Sequence, residues 1–206
     1  MRLTALYLTS IICGFALMAM EILAARLVQP VFGSSTDVWA AIISTFILSL
    51  SVGYVIGGRV ADRARTNLAL GWVILGAGVF YALMPTYGLR LSNALPEAVQ
   101  TARWGALVSC LALFLPPSLL LGCISPMLVK LVFVDAAQVG RTTGTLYAIG
   151  SFGNVLGILV ANYVLLPLFP LNETLIALGA VLVALGAAHL VLRVQAQSEG
   201  AAGEAP

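Results

Sequence analysis

Long runs of apolar residues constrain this chain more than any other feature of its sequence. Of its 206 residues, 61% are hydrophobic and only 9% are charged, whereas soluble domains have about 25% charged residues. Too few polar groups are present to cover a soluble surface, so the composition excludes a water-soluble globular protein. It also excludes disorder for most of the chain, because disordered segments are poor in apolar residues. The net charge of +2 gives no indication of a nucleic-acid partner.

Six apolar segments approach or exceed the roughly 20 residues that a membrane-spanning helix needs. They cover residues 3–29, 38–57, 68–84, 104–132, 143–166 and 174–192. The sequence therefore predicts an all-α integral membrane protein, with a six-helix transmembrane domain at residues 1–193. The polar composition of residues 194–206 predicts a flexible cytoplasmic tail.

The fourth segment is unusual because it contains Pro116, Pro117 and Pro126. Each proline removes a helical hydrogen bond and crowds the preceding turn. We expect a kinked or broken helix here, with Ser118, Ser125 or neighbouring helices satisfying the freed carbonyl groups.

The basic residues predict the orientation in the membrane. One predicted side holds Arg2, Arg59, Arg63, Arg65, Lys130, Arg141 and Arg193, and the other holds Arg90 and Arg103. Cytoplasmic loops carry an excess of Lys and Arg. Both termini are therefore expected in the cytoplasm, which requires an even number of spans.

Glu21 is the most informative single residue, because a carboxylate inside an apolar span is costly. It should face the bundle interior, towards a partner or water. Arg26 points about 140° away on an ideal helix of about 3.6 residues per turn, whereas Gln29 shares the face of Glu21. Two interpretations stay open: a carboxylate that handles a proton or cation in a cavity, or a structural pair with a cation of another helix.

The fifth segment carries polar residues along one helical face, at Tyr147, Ser151, Asn154 and Asn162. Such a face is able to line a solute path. It is equally able to form hydrogen bonds between helices, each contributing about 0.6–2 kcal/mol.

Small residues are spaced for close helix contact in two segments. Gly53 and Gly57 form a GxxxG pattern in the second, and Gly150, Gly153 and Gly157 form a similar pattern in the fifth. These patterns let helix backbones approach closely. They fit packing inside one bundle or the face of a dimer.

The remaining reactive side chains match no catalytic or metal motif. Cys13, Cys110 and Cys123 lie in apolar runs, so we interpret them as core or lipid-facing residues. His189 is the only histidine and is expected to be a packed or interfacial residue. We expect neither a metal nor another cofactor.

The connection between the second and third segments reads GGRVADRAR from Gly57. It resembles the signature loop of the major facilitator superfamily, Gly-x-x-x-Asp-Arg-x-Gly-Arg, through Gly58, Asp62 and Arg63. The later Gly-Arg differs, since Arg65 occupies the glycine position. We expect Asp62 to cap the start of the third helix.

A wider set of motifs is similar to the membrane domain of fused facilitator/spermidine-synthase proteins. The matching segments are Gly14-Phe15-Ala16-Leu17-Met18, Ala24-Ala25-Arg26-Leu27, Phe32-Gly33-Ser34-Ser35, Leu50-Ser51-Val52-Gly53-Tyr54, Gly57-Gly58-Arg59, Ser125-Pro126, Gly140-Arg141-Thr142-Thr143-Gly144 and Leu146-Tyr147-Ala148. The resemblance spans most of residues 10–170. It implies half of a major-facilitator-like bundle in a bacterial inner (cytoplasmic) membrane.

In that family, a domain resembling an aminopropyltransferase often follows the membrane helices. No glycine-rich nucleotide loop follows a predicted strand in this sequence, so we do not expect enzymatic aminopropyl transfer by this chain alone. The leading hypothesis is a transporter-like half that dimerises in the lipid bilayer and handles a small cationic or polar, polyamine-like solute. Its candidate binding residues are Glu21, Arg26, Gln29, Tyr147, Ser151, Asn154 and Asn162, and its candidate gating residues are Gly58, Asp62, Arg63 and Arg141.

The alternative hypothesis is a membrane subunit that does not transport. It would anchor or regulate a separate, soluble synthase-like enzyme through the basic residues of the cytoplasmic face.

Overall fold

The computed structural model of the chain describes residues 2–63, 67–94, 96, 104–132 and 139–192. Within these ranges lie six long helices: α1 (Arg2–Phe32), α2 (Thr36–Arg63), α3 (Leu68–Ala94), α4 (Gly105–Val132), α5 (Val139–Leu168) and α6 (Leu171–Val191). All six are long and apolar enough to cross a membrane. The prediction of an all-helical chain with six helices of membrane-spanning length and composition is therefore confirmed for the described residues. The predicted tail, Arg65, Arg103 and Arg193 lie outside the described residues.

The turn between α1 and α2 is closed by local backbone chemistry. Gly33 has a φ of +74°, which glycine adopts at little cost, and its amide donates to the carbonyl of Gln29 at 2.9 Å. Ser35 then caps the start of α2, since the amide of Val38 donates to its carbonyl at 3.1 Å and approaches its hydroxyl at 3.4 Å. Asp37 adds an acidic residue in the first turn, where it complements the helix dipole.

The third helix begins at Leu68 as predicted but differs from the prediction in its end and in its expected cap. It continues through Pro85 to Ala94, beyond the predicted span at residues 68–84. Asp62 was expected to cap its start, and this is wrong: Asp62 lies in the last turn of α2, and α3 begins at Leu68.

Helix α4 is continuous from Gly105 to Val132 despite its three prolines. The alternative of a broken helix is therefore wrong. Of the groups expected to satisfy the freed carbonyls, Ser118 does not do so, because its buried hydroxyl has no hydrogen-bond partner among the described residues.

Helix α5 changes its winding near its end. An α-helical part (Val139–Val160) is followed by a π-helical turn (Ala161–Leu165) and a last short piece (Leu166–Leu168). The amide of Leu166 donates to the carbonyl of Ala161, five residues earlier. Pro167 has no amide hydrogen and its ring crowds the preceding turn. The wider winding therefore lies where the proline disturbs the regular hydrogen-bond ladder.

Two parallel helix pairs are joined by glycine contacts. In α1/α5, a Cβ built on Gly153 would collide with the backbone of Ile11, and one on Gly157 with that of Phe15. In α2/α4, the corresponding contacts join Gly53 to Leu119 and Gly57 to Cys123. These are the glycine patterns recognised in the sequence, and the structure uses both for packing inside one chain.

The pair α3/α6 is antiparallel and uses glycines on both helices. A Cβ on Gly71 would lie 3.0 Å from the carbonyl oxygen of Gly186, and one on Gly78 would lie 2.8 Å from that of Gly179. The sequence analysis did not predict this pairing. Helix α1 contacts each of the other five helices and forms the centre of the bundle.

The three pairings follow a regular pattern. Exchanging α1 with α4, α2 with α5 and α3 with α6 turns the α1/α5 pair into the α2/α4 pair and leaves the α3/α6 pair unchanged. The glycine contacts obey the same exchange, because each GxxxG pattern meets a backbone segment that contains a further glycine, Gly14 in α1 and Gly122 in α4. Helices three apart along the chain run in opposite directions. By the pairing of their helices, α1–α3 and α4–α6 thus correspond to each other as two three-helix repeats of opposite orientation.

Candidate functional site

A cavity of about 110 Å³ lies between α1, α2, α4 and α5. We call it the polar cavity, and it occupies the half of the bundle where α1 begins, which we call the N-terminal end. Its polar side chains are those of Ser10, Tyr54, Ser125, Tyr147, Ser151 and Asn154. Aliphatic residues and Cys13 complete the wall. The cavity offers hydroxyl and amide groups and no charged group among its lining residues.

Helix α5 supplies the largest polar part of this wall. Tyr147, Ser151 and Asn154 follow at helical spacing and line the cavity together, as the sequence predicted for these three residues. The close approach of α1 and α5 sets their position. A Cβ on Gly14 would lie 2.7 Å from Oδ1 of Asn154 and 2.6 Å from the carbonyl oxygen of Gly150. Any larger residue at position 14 would therefore displace Asn154.

Ser10 connects the same two helices by a hydrogen bond. Its hydroxyl donates to the carbonyl of Leu146 at 3.4 Å. On the opposite wall, Tyr54 of α2 faces the same cavity as Tyr147 of α5. Tyr54 and Tyr147 are 48% and 52% exposed, so the cavity is open between α2 and α5.

Asn162 does not join the other three residues of the predicted stripe. It lies in the π-helical turn and lines a second cavity of about 310 Å³ at the opposite end of the bundle. Arg26 and Gln29 line this second cavity as well. The structure therefore divides six of the seven predicted binding residues into two groups, one at each end of the four central helices.

Glu21 lines neither of these two cavities. Its side chain is half-buried, and it makes no hydrogen bond or ion pair with a residue that the structure describes. At helical spacing it follows Gly14 and Leu17, which both face the polar cavity. Glu21 thus continues the cavity-lining face of α1 by one turn towards the opposite end.

The candidate gating residues all lie at the N-terminal end. Asp62 and Arg63 are exposed in the last turn of α2, and Arg141 is exposed in the first turns of α5. A Cβ on Gly58 would meet no atom within 4 Å. No ion pair joins these residues to one another in the described part of the chain.

One buried polar network was missed by sequence reasoning. Nε2 of His189 lies 2.8 Å from the hydroxyl of Thr9, which in turn donates to the carbonyl of Ala5 at 2.9 Å. The amide of Asn67 donates to the carbonyl of His189 at 2.9 Å and to that of Leu192 at 3.1 Å. All of Thr9, Asn67 and His189 are buried.

These bonds tie α1, the start of α3 and the end of α6 together. The orphaned carbonyls at the end of a helix need partners, and Asn67 supplies two donors to the end of α6. The interpretation of His189 as a packed residue is confirmed. Its partners could not be foreseen, because Thr9 and Asn67 are distant in sequence and match no motif.

The cysteines are free and buried, as predicted for core residues. Cys13 lines the polar cavity. In the described ranges, no group of three His, Cys, Asp or Glu side chains is arranged to hold a metal ion.

Comparison with protein-family models, curated proteins and solved structures found no match to this chain. The family resemblance therefore rests on the motifs of the sequence alone.

Proposed function

We propose that this chain is one half of a transporter-like membrane protein, in which two copies enclose a pathway for a small polar or cationic solute. The observation that carries the proposal is the polar cavity with its open side along α5. Tyr147 and Ser151 are exposed on a helix of membrane-spanning length. Polar side chains inside a bilayer normally face protein or water rather than lipid. A second copy placed against α2 and α5 would cover them.

The arrangement of the helix pairs supports the same proposal. Many secondary transporters contain repeats of inverted orientation, with binding sites at the repeat interface, and in major facilitators each six-helix half consists of two inverted three-helix repeats. The polar cavity lies between α1 and α2 of the first repeat and α4 and α5 of the second. This placement, together with the signature-like loop at Asp62 and Arg63, favours half of a major-facilitator-like bundle.

The cavity chemistry indicates the kind of solute. Hydroxyl and amide groups from Ser10, Tyr54 and Asn154 serve as donors or acceptors for amines and alcohols. Glu21, one turn beyond the cavity wall, provides a carboxylate without a partner among the described residues. A small diamine fits this combination, which agrees with the polyamine-like solute implied by the family resemblance.

Uptake into vesicles tests the proposal. The purified chain is reconstituted into liposomes and the uptake of radiolabelled putrescine is measured. We expect saturable uptake that Glu21→Gln lowers at least about tenfold, the loss expected when one charged interaction of about 1.4 kcal/mol or more is removed.

Glu173→Gln is the matched control, because Glu173 is exposed in the first turn of α6 and lines none of the cavities described here. Equal uptake by Glu21→Gln and the parent chain would remove Glu21 from the site. No saturable uptake by the parent, or a strict monomer by mass measurement in nanodiscs, would contradict the two-half transporter.

The alternative function, anchoring a soluble synthase-like enzyme, needs a docking surface at the N-terminal end. Exposed Arg59, Arg63, Lys130 and Arg141 are available there. The same residues also serve to keep these segments in the cytoplasm, so they do not favour docking over transport. A pull-down from the native membrane that recovers such an enzyme, with no putrescine uptake by the pure chain, would favour the anchor.

A further inference from the structure

The second cavity, at the end of the bundle opposite the polar cavity, has a different chemistry. We call it the distal cavity. It measures about 310 Å³ and lies between the end of α1, the start of α2 and the π-helical turn of α5. Its polar side chains are Arg26, Gln29, Ser34 and Asn162, and Trp39 forms part of its wall.

Arg26 is the charged group of this cavity. Its side chain is exposed, and it makes no ion pair or hydrogen bond with a described residue. It lies six residues before the end of α1, which corresponds to about 9 Å along the helix axis. An arginine near the apolar part of a membrane protein is normally paired or functional. The exposed guanidinium, unpaired among the described residues, is therefore available to an anionic partner from outside the described chain.

The other polar groups of the cavity suit an anion as well. The side-chain amides of Gln29 and Asn162 and the hydroxyl of Ser34 are all able to donate hydrogen bonds. No acidic side chain lines the distal cavity. Helix α2 begins at its rim, at Thr36, but Asp37 lies in the first turn of that helix, so the positive charge of the cavity comes from Arg26.

The position of Asn162 depends on the irregular winding of α5. Asn162 is part of the π-helical turn, and Leu166 of the adjoining piece also lines the cavity. Such turns occur frequently at functional sites. This turn places an amide side chain against the same cavity as Arg26, although the two residues come from different helices.

We propose that the distal cavity binds one small anionic group, a carboxylate or a phosphate, on Arg26 with the help of Gln29, Ser34 and Asn162. The group belongs to a free solute or to the headgroup of an anionic lipid, because both present the same oxygen atoms to a guanidinium. The inference does not require transport through the polar cavity, since the two cavities share no lining residue.

Binding measurements on the full chain test the site. The chain is placed in phosphatidylcholine nanodiscs and titrated calorimetrically with inorganic phosphate and with acetate. In a second arm, nanodiscs with phosphatidylglycerol are examined by native mass spectrometry for lipid retained by the protein. We expect one anion per chain in at least one arm. Binding in the first arm identifies a soluble anion, and binding in the second arm alone identifies a lipid headgroup.

Two variants and one control make the test specific. Arg26→Gln and Asn162→Asp should each weaken anion binding about tenfold or more, the first by removing the cation and the second by adding a like charge. Asn162→Asp keeps the inference testable if Arg26→Gln fails to fold. Arg90→Gln, which removes an exposed arginine of α3 that does not line the cavity, should bind as the parent does.

The inference is overturned if the parent binds no anion in either arm. It is also overturned if a folded Arg26→Gln or Asn162→Asp variant binds the anion as tightly as the parent. Loss of putrescine uptake does not enter these outcomes, so the proposed function and this site fail independently.

Discussion

The α1/α5 and α2/α4 pairs have the same backbone contacts and different polar side chains. Gly153 and Gly157 meet α1 as Gly53 and Gly57 meet α4. Yet both cavities take most of their polar groups from α1 and α5, while α2 and α4 contribute Tyr54, Trp39 and Ser125 and otherwise aliphatic residues. The packing of the repeat is therefore shared by both pairs, whereas the candidate chemistry is concentrated in one of them.

The largest expected effect concerns the shared packing. Gly153→Leu and Gly53→Leu each place a side chain against backbone atoms of the facing helix, where a Cβ already lacks room. Each should lower the free energy of unfolding by about 3 kcal/mol or more, at the upper end for overpacking. Thermal unfolding in detergent, followed by loss of the monodisperse species, measures the two effects.

Gly144→Leu is the control for this experiment, because a Cβ on Gly144 of α5 meets no atom within 4 Å. A large loss of stability for Gly153→Leu with none for Gly53→Leu would show that the two pairs are not equivalent in energy.

The next effect concerns the buried network at the N-terminal end. Asn67→Ala removes the donors to the carbonyls of His189 and Leu192 and leaves these groups unsatisfied. Leaving buried polar groups unpaired costs about 1–3 kcal/mol. The change in unfolding free energy should fall in this range, whereas Asn172→Ala, at an exposed position in the first turn of α6, should be near neutral. Equal stability of the two variants would contradict a structural role for the network.

A smaller effect separates Ser151 from Ser51, which occupy corresponding positions two residues before Gly153 and Gly53. Ser151 lines the polar cavity, whereas the hydroxyl of Ser51 is exposed and donates to the carbonyl of Ile47 in its own helix at 2.8 Å. If putrescine uses the polar cavity, Ser151→Ala should raise the KM of uptake about threefold to tenfold, the cost of one neutral hydrogen bond, and Ser51→Ala should leave it unchanged. A raised KM for Ser51→Ala with an unchanged KM for Ser151→Ala would instead place the solute path on α2.

The smallest effect concerns Ser10 and Ser118, each four residues before the contact glycine of its helix, Gly14 or Gly122. Ser10 donates to α5, but the buried hydroxyl of Ser118 has no partner among the described residues. Ser10→Ala should cost about 0.6 kcal/mol, a typical value for hydrogen bonds between membrane helices.

Ser118→Ala should be neutral or stabilise by up to about 1 kcal/mol, because it removes an unsatisfied group. Chemical unfolding of the two variants, measured side by side, shows whether each substitution lowers or raises the free energy of unfolding. A Ser118→Ala variant less stable than Ser10→Ala would indicate that Ser118 has a partner.

Hydropathy alone predicted the six spans, because burial in lipid imposes length and composition on every helix. Helical spacing correctly grouped Tyr147, Ser151 and Asn154, since a regular helix keeps these residues on one face. It did not bring Asn162 to the same cavity, because eight residues of helix place Asn162 about 12 Å beyond Asn154 along the axis of α5. It also missed the α3/α6 contact, because Gly71 and Gly78 are seven residues apart and do not form a GxxxG pattern.

The glycine contacts have a consequence for how the chain is made. Each of the three glycine-joined pairs takes one helix from α1–α3 and one from α4–α6. During synthesis the first three helices reach the membrane before any of these partners exists, because chains are made from the N-terminus. The glycine faces of α1–α3 therefore have no partner helix until α4–α6 are inserted. A ribosome-stalled chain ending after α3 should therefore be inserted but still lack its close helix packing.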